Sequence, residues 1–247
     1  MACRHDKIIN MAAKKVLAPN GLFQKGTSRI WLDDNGYFMT FVAFDACNRA
    51  KGSYLGVGID FLWEKTEGLN KTLAYSYGER GNTFCEYQGN DDVFQSKMEE
   101  YARTGLQKVM EYRRFKDIEY AKERLAQTVS DTPQHQRFWE VYDLAMICFL
   151  RGDFEDGVNA FEDYLAILKE SFYVGSFLIE WHEKFYQYCM SHIKPYLTSK
   201  EAAQKMVLDM IRRRRDYFQS KPSFKKMNKK IFLFHERKIE KELETVD

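Results

Sequence analysis

TSRIWLDDNGYFMTFVAFDACNRAKGSYLGVGIDFLW, Thr27 to Trp63, reads as three consecutive strands. Asp33-Asp34-Asn35-Gly36 sits between aromatic and β-branched runs; its residues tolerate positive φ and bond their own backbone, so it predicts a hairpin turn. Asn48 to Gly52 predicts a second, looser turn. In the third strand Leu55, Val57, Ile59, Phe61 and Trp63 fall on one side, because successive strand side chains point to opposite faces. That side must be buried. The other side carries Tyr54, Gly56, Gly58, Asp60 and Leu62, where two glycines leave a trough between a tyrosine and a carboxylate. Glycine inside a strand marks either a bulge or bend, or close approach by a ligand or another backbone, so Tyr54, Gly56, Gly58 and Asp60 form a candidate binding surface. Gly56-x-Gly58 is no dinucleotide fingerprint: it lacks a third glycine and a following helix.

Working outward, Ile8, Ile9, Ala12 and Val16 recur at helical spacing and predict a helix over Asp6 to Val16, ended by Ala18-Pro19-Asn20-Gly21. A fourth strand, Leu73 to Arg80, and a fifth, Thr83 to Tyr87, are expected around a tight Arg80-Gly81-Asn82 turn. Capping oxygens in Gly89-Asn90-Asp91-Asp92 then open a helix from Val93 to Phe115, with Met98, Tyr101, Ala102, Leu106, Val109 and Tyr112 in one apolar stripe. That stripe needs a sheet to cover. The expected fold class is α+β: an antiparallel meander sheet with flanking helices, followed by an all-α helical bundle.

The succession of a first helix, Asn20-Gly21-Leu22-Phe23-Gln24-Lys25-Gly26, a strand with Trp31, a turn at Asn35-Gly36 and a strand pair ending Leu55-Gly56-Val57-Gly58-Ile59 resembles a family of small bacterial α+β domains of unknown function. Members carry a Gly-Phe-Lys-Lys-Lys-Gly-like turn between helix and meander; this chain has Gln24 where a lysine is usual, and Leu22 between the glycine and the aromatic. The resemblance covers about residues 5 to 115. Some members are immunity-like, so it implies binding to another protein, such as a toxin.

A connecting helix, Asp117 to Gln127, leads to Ser130-Asp131-Thr132-Pro133, where Thr132 can cap a helix and Pro133 is preset for its first turn. The expected domains are 1-130, the sheet domain, and 131-247, the helical domain. Phe138, Tyr142, Ala145 and Phe149 form one stripe, and Phe154, Val158, Phe161, Leu165 and Leu168 another, with Arg151-Gly152-Asp153 as the turn between. Leu144, Ala145, Gly152, Phe154, Gly157 and Phe161 resemble one tetratricopeptide helix pair, although Val141 stands where that repeat prefers tryptophan and no copy follows at a 34-residue period. A third helix is expected over Tyr173 to Ile193. Thr198-x-x-Glu201 is a capping box for a fourth, running to Phe218, and a last helix is expected from Phe224 to about Leu243.

Across 247 residues the net charge is +2, with 45% hydrophobic residues and 15% aromatics, a composition that excludes a disordered chain. The longest apolar run, Leu144 to Leu150, is far short of the roughly 20 residues a membrane helix needs, and the charged start MACRHDKIIN is not a secretory signal. Cys3, Cys47, Cys85, Cys148 and Cys189 are dispersed and odd in number, as expected of reduced thiols in a cytoplasmic protein. Lys200 to Lys241 holds fourteen basic against five acidic residues, leaving the remainder at minus seven. Within Arg212-Arg213-Arg214-Arg215, a helical wheel sends Arg212 outward and Arg214 into the apolar face, where its guanidinium should reach a carboxylate of the acidic first domain. The last helix puts Lys225, Lys226, Lys229, Lys230 and Arg237 on one outer face, a second candidate surface for an acidic protein or a nucleic-acid backbone. His182-Glu183 lacks the second histidine of a zinc-protease motif. The sequence thus points to a non-catalytic, cytoplasmic, bacterial protein-binding protein, with no cofactor or metal, acting as an immunity-type partner of a toxin; the alternative is nucleic-acid binding by the basic last helix.

Overall fold

The computed structural model describes residues 3–63, 79–80, 84–133, 138–174 and 177–227. The fold is α+β, an antiparallel sheet followed by helices. Described residues up to Arg114, together with Arg214 onward, form one compact unit, and Phe115–Arg213 form the other. Sequence alone suggested one boundary near residue 130. The observed division instead returns the end of a late helix to the sheet unit, because that is where its arginines find carboxylates.

In the sheet unit, α1 (Arg4–Leu17) is followed by β1 (Phe23–Gln24), β2 (Ile30–Asp34), β3 (Phe38–Asp45) and β4 (Gly52–Phe61), each antiparallel to the last. Gly36, at φ 89°, makes the β2–β3 turn, a left-handed conformation that glycine adopts without a Cβ penalty. β5 (Glu79–Arg80) and β6 (Cys85–Glu86) both pair antiparallel with β4. They therefore run in one direction as two pieces of an edge, not as the hairpin that the Arg80-Gly81-Asn82 turn suggested. Residues 73–78 and 83 of the two expected strands lie outside the described residues, while Phe84 and Tyr87 flank β6 without joining it.

One face of the sheet is covered by α1 and by α2 (Asp91–Tyr112). Ile8, Ile9, Ala12 and Ala13 of the first and Phe94, Met98, Ala102 and Val109 of the second bury against Trp31, Val42, Phe44, Leu55 and Val57. Gly105 sets the approach of α2: a Cβ there would lie 2.8 Å from Val42 Cγ1, so only a glycine lets the helix come this close. Asn90 caps α2, its side chain accepting from the Val93 amide at 3.1 Å.

In the helical unit, α3 (Ile118–Asp131) opens on Asp117, whose carboxylate accepts from the Glu119 amide at 3.0 Å. It is followed by α4 (Phe138–Arg151) and α5 (Phe154–Glu170), a helix hairpin turned at Gly152. Gly157 packs on the Phe149 ring, where a Cβ would sit 2.6 Å from two ring carbons. The small residue of the tetratricopeptide-like pattern thus does admit a close helix pair. The expected third helix starts later: Tyr173–Val174 and Phe177–Leu178 are β7 and β8, a short antiparallel ladder, and α6 covers Glu180–His192. Tyrosine, valine and phenylalanine favour extended backbone, and that preference prevails over helical periodicity there. α7 (Lys200–Gln219) starts with Ser199, not Thr198, as its cap: the Ser199 hydroxyl accepts from the Ala202 amide at 3.2 Å. Past it, Pro222–Phe224 form a 3-10 turn, and the expected last helix beyond 227 lies outside the described residues.

Candidate binding site in the helical unit

The first sequence candidate, the glycine trough of β4, is closed. Gly56, Gly58 and Asp60 are buried, while Tyr54 is half-buried with its ring 4.9 Å from that of Phe84. Register explains the closure. Asp34, Met39 and Asp60 are direct partners across β2, β3 and β4, so they share one rung and one face. Arg214 donates to both Asp60 carboxylate oxygens at 2.9 Å and to the Phe61 carbonyl at 2.7 Å. Arg215 donates to Asp34 at 2.7 and 3.0 Å and to the Gly36 carbonyl at 2.7 Å. Consecutive helix positions diverge by about 100°, and this divergence lets adjacent arginines reach carboxylates two strands, roughly 10 Å, apart. On the opposite face, the neighbouring Asp33 takes Arg113 at 2.8 and 2.9 Å. The acidic turn therefore serves both faces of the sheet.

The inward aim of Arg214, legible in the helical wheel, is met at Asp60; Arg215 is also buried. Asp60 is 2% exposed and Arg214 5%. Burial pushes Asp60 above the usual carboxylate range, while Arg214 and, to a lesser extent, Lys25 pull it back down. An aspartate so enclosed is a structural anchor and no longer an open binding surface, which corrects the reading of Gly56, Gly58 and Asp60 as an exposed trough.

Of the basic set, Lys225 and Lys226 are exposed in the turn after the Pro222–Phe224 segment. Lys229, Lys230 and Arg237 lie outside the described residues. Lys225 borders a shallow depression with Lys25, Thr27, Ser28 and Ser223.

A more developed concavity, unanticipated from sequence, lies where three helix ends of the helical unit converge. The first turn of α4 supplies Phe138 and Trp139, the last turn of α5 supplies Ile167 and Glu170, and the first turn of α6 supplies Trp181 and His182. They line a cleft of about 710 Å³. Trp139 and Trp181 stack with centroids 6.0 Å apart and planes at 9°. Phe138 stands perpendicular to both, and His182 lies 5.4 Å from Phe138 at 20°. Opposed faces this close already fill the space between them, so a ligand must lie along the cluster and not inside it.

The polar groups follow from the helix ends. The last carbonyls of a helix lack intrahelical partners, and that of Ser171, at the end of α5, accepts from His182 Nδ1 at 2.6 Å. A carbonyl can only accept, so Nδ1 carries the proton and Nε2 is the ring atom left for other partners. Glu170, exposed at the negative end of the same helix, adds a carboxylate. Trp181 is 49% exposed, one of five large hydrophobic side chains that stand out among the described residues. Sequence reasoning put Phe138 in the stripe of one helix and left Trp139 unassigned; the single legible hint was the adjacent Trp181-His182 pair.

The fold and cleft define an α+β protein with a helical part that presents an aromatic recess. No protein family, curated protein or solved structure matches the chain. Among the described residues, no three histidine, cysteine, aspartate or glutamate side chains gather to hold a metal ion, and no helix is long and apolar enough to cross a membrane.

Proposed function

We propose that this is a non-catalytic binding protein that holds another polypeptide in the aromatic cleft between α4, α5 and α6. The observation that carries the reading is Trp181, half-exposed yet stacked on Trp139 at the cleft wall. Tryptophan gives a large rigid contact area at small entropic cost, and affinity at protein interfaces concentrates on such residues. Glu170, Ser171 and the His182 imidazole supply a short polar edge to orient the bound chain. The resemblance of the N-terminal half to immunity-like bacterial domains makes a cytoplasmic toxin the first partner to test.

The test is calorimetric titration of a partner purified by affinity capture. Trp181→Ala is expected to weaken binding by about 2 kcal/mol or more, roughly 30-fold, while leaving the urea midpoint close to that of the parent. A partner bound equally well by Trp181→Ala and Trp139→Ala proteins would refute the assignment.

A further inference from the structure

A second recess, lined by none of the residues of the cleft, lies in the corner that α6 makes with α7. Its walls come from one face of each helix: Tyr188, Ser191 and His192 at i, i+3 and i+4 on α6, and Lys205, Met206, Asp209 and Arg213 on α7. Residues three and four apart share a helix face, so the spacing alone brings these groups together. Tyr196, in the Lys194–Tyr196 turn joining the helices, forms the rim and is 52% exposed. The volume is about 400 Å³, within the range of small-molecule sites.

The polar lining is rich in donors. Ser191 gives its hydroxyl proton to the Gln187 carbonyl at 2.6 Å, so the 2.7 Å contact between its oxygen and His192 Nδ1 is made by an N–H of the imidazole. Nε2 is then the polar ring atom left to a ligand. Asp209, the one carboxylate in the lining, is answered twice, by Lys205 at 3.2 Å and by Arg212 at 3.3 Å. Lys205 can therefore turn to a ligand while Asp209 keeps a cation. Arg213 uses Nε on the Asp209 backbone carbonyl at 3.2 Å, leaving the two terminal nitrogens, the pair that grips phosphate oxygens. Its charge is felt in the recess, since it opposes the rise that burial imposes on the Tyr188 hydroxyl. Flat surface is present as well: the Tyr188 and His192 rings stack at 4.8 Å and 21°, and Tyr196 lies beside them.

We infer that the α6–α7 recess binds a phosphate monoester of mononucleotide size, with Lys205 and Arg213 on the phosphate and the ring of the ligand against Tyr196 and the Tyr188–His192 pair. Two cations match a dianionic phosphate, and stacking of a base on aromatic rings is strong without base-specific hydrogen bonds. The inference uses different residues from the polypeptide cleft, so each can fail alone.

The experiment is isothermal titration of the full chain with adenosine monophosphate, and in parallel with adenosine and with inorganic phosphate. Saturable binding with a Kd below about 1 mM is expected for the nucleotide, with each half binding at least about tenfold more weakly because both contact sets are then incomplete. Lys205→Ala/Arg213→Ala, both exposed positions, should lose at least about tenfold, and Tyr196→Ala should weaken the nucleotide but not phosphate. Trp181→Ala should leave nucleotide binding intact. Absence of saturable binding by the nucleotide, equal binding by adenosine, or an unchanged Kd in the double variant would overturn the assignment; far-UV circular dichroism of each variant confirms that it is folded.

Discussion

Replacing Arg214 by methionine tests the reasoning that closes the sheet. The substitution keeps an unbranched stem but removes the donors that meet both oxygens of Asp60 at 2.9 Å and the Phe61 carbonyl at 2.7 Å. What remains is a carboxylate, 2% exposed, with its guanidinium partner gone. Breaking one side of a buried pair typically costs about 3–5 kcal/mol, whereas replacing both sides by apolar groups of similar volume is near neutral or stabilising. Arg214→Met and Asp60→Leu should therefore each lower the stability of the sheet unit by about 3–5 kcal/mol, and the double variant should recover most of that loss. The coupling is read from urea unfolding followed by far-UV circular dichroism, with the slope of the transition checked for constancy. The sign of the pH dependence is also fixed. Burial already raises Asp60, and removing Arg214 removes the largest influence lowering it. A carboxyl whose folded pKa exceeds its unfolded value near 4 binds more protons when folded, so its stabilising contribution is complete below the unfolded value and is lost as pH rises through the folded one. The deficit of Arg214→Met should accordingly shrink on acidification from pH 7 toward about pH 4. Additive single effects, or a deficit that grows on acidification, would refute the account.

Gly105→Ala would place a Cβ 2.8 Å from Val42 Cγ1; overpacking of about 1–3 kcal/mol should exceed the roughly 1 kcal/mol gain in helix propensity, and Val42→Ala in the same chain should restore part of the urea midpoint. Ser199→Ala removes the α7 cap and is expected to cost about 1 kcal/mol, measured by thermal unfolding. Among the thiols, Cys3 is exposed, whereas Cys148 is buried and pushed up to about 11; since the thiolate is the nucleophile, iodoacetamide at pH 8 should label Cys3 in the native protein and reach Cys148 only in urea, by mass spectrometry. Rapid native labelling of Cys148 would contradict its burial.

The sequence by itself determined the local structure. Alternation in residues 38–61 and the Asn35-Gly36 turn specify β3, β4 and their hairpin, because strand periodicity and positive φ are properties of neighbouring residues. Helical periodicity placed α1, α2, α4, α5 and α7 for the same reason, and a helical wheel foretold that Arg214 turns inward. Tertiary structure decided which surfaces stay open. Whether Gly56, Gly58 and Asp60 face a partner or the chain itself depends on the pairing of Asp60 with Arg214, a contact 154 residues apart, and separation of that size leaves no trace in local pattern. The aromatic cleft arises likewise from helix ends that meet only on packing: Trp139 and Trp181 are 42 residues apart in chain and 6.0 Å apart in space. Periodicity reports the face a residue takes on its own element, and only the packed chain decides what that face meets.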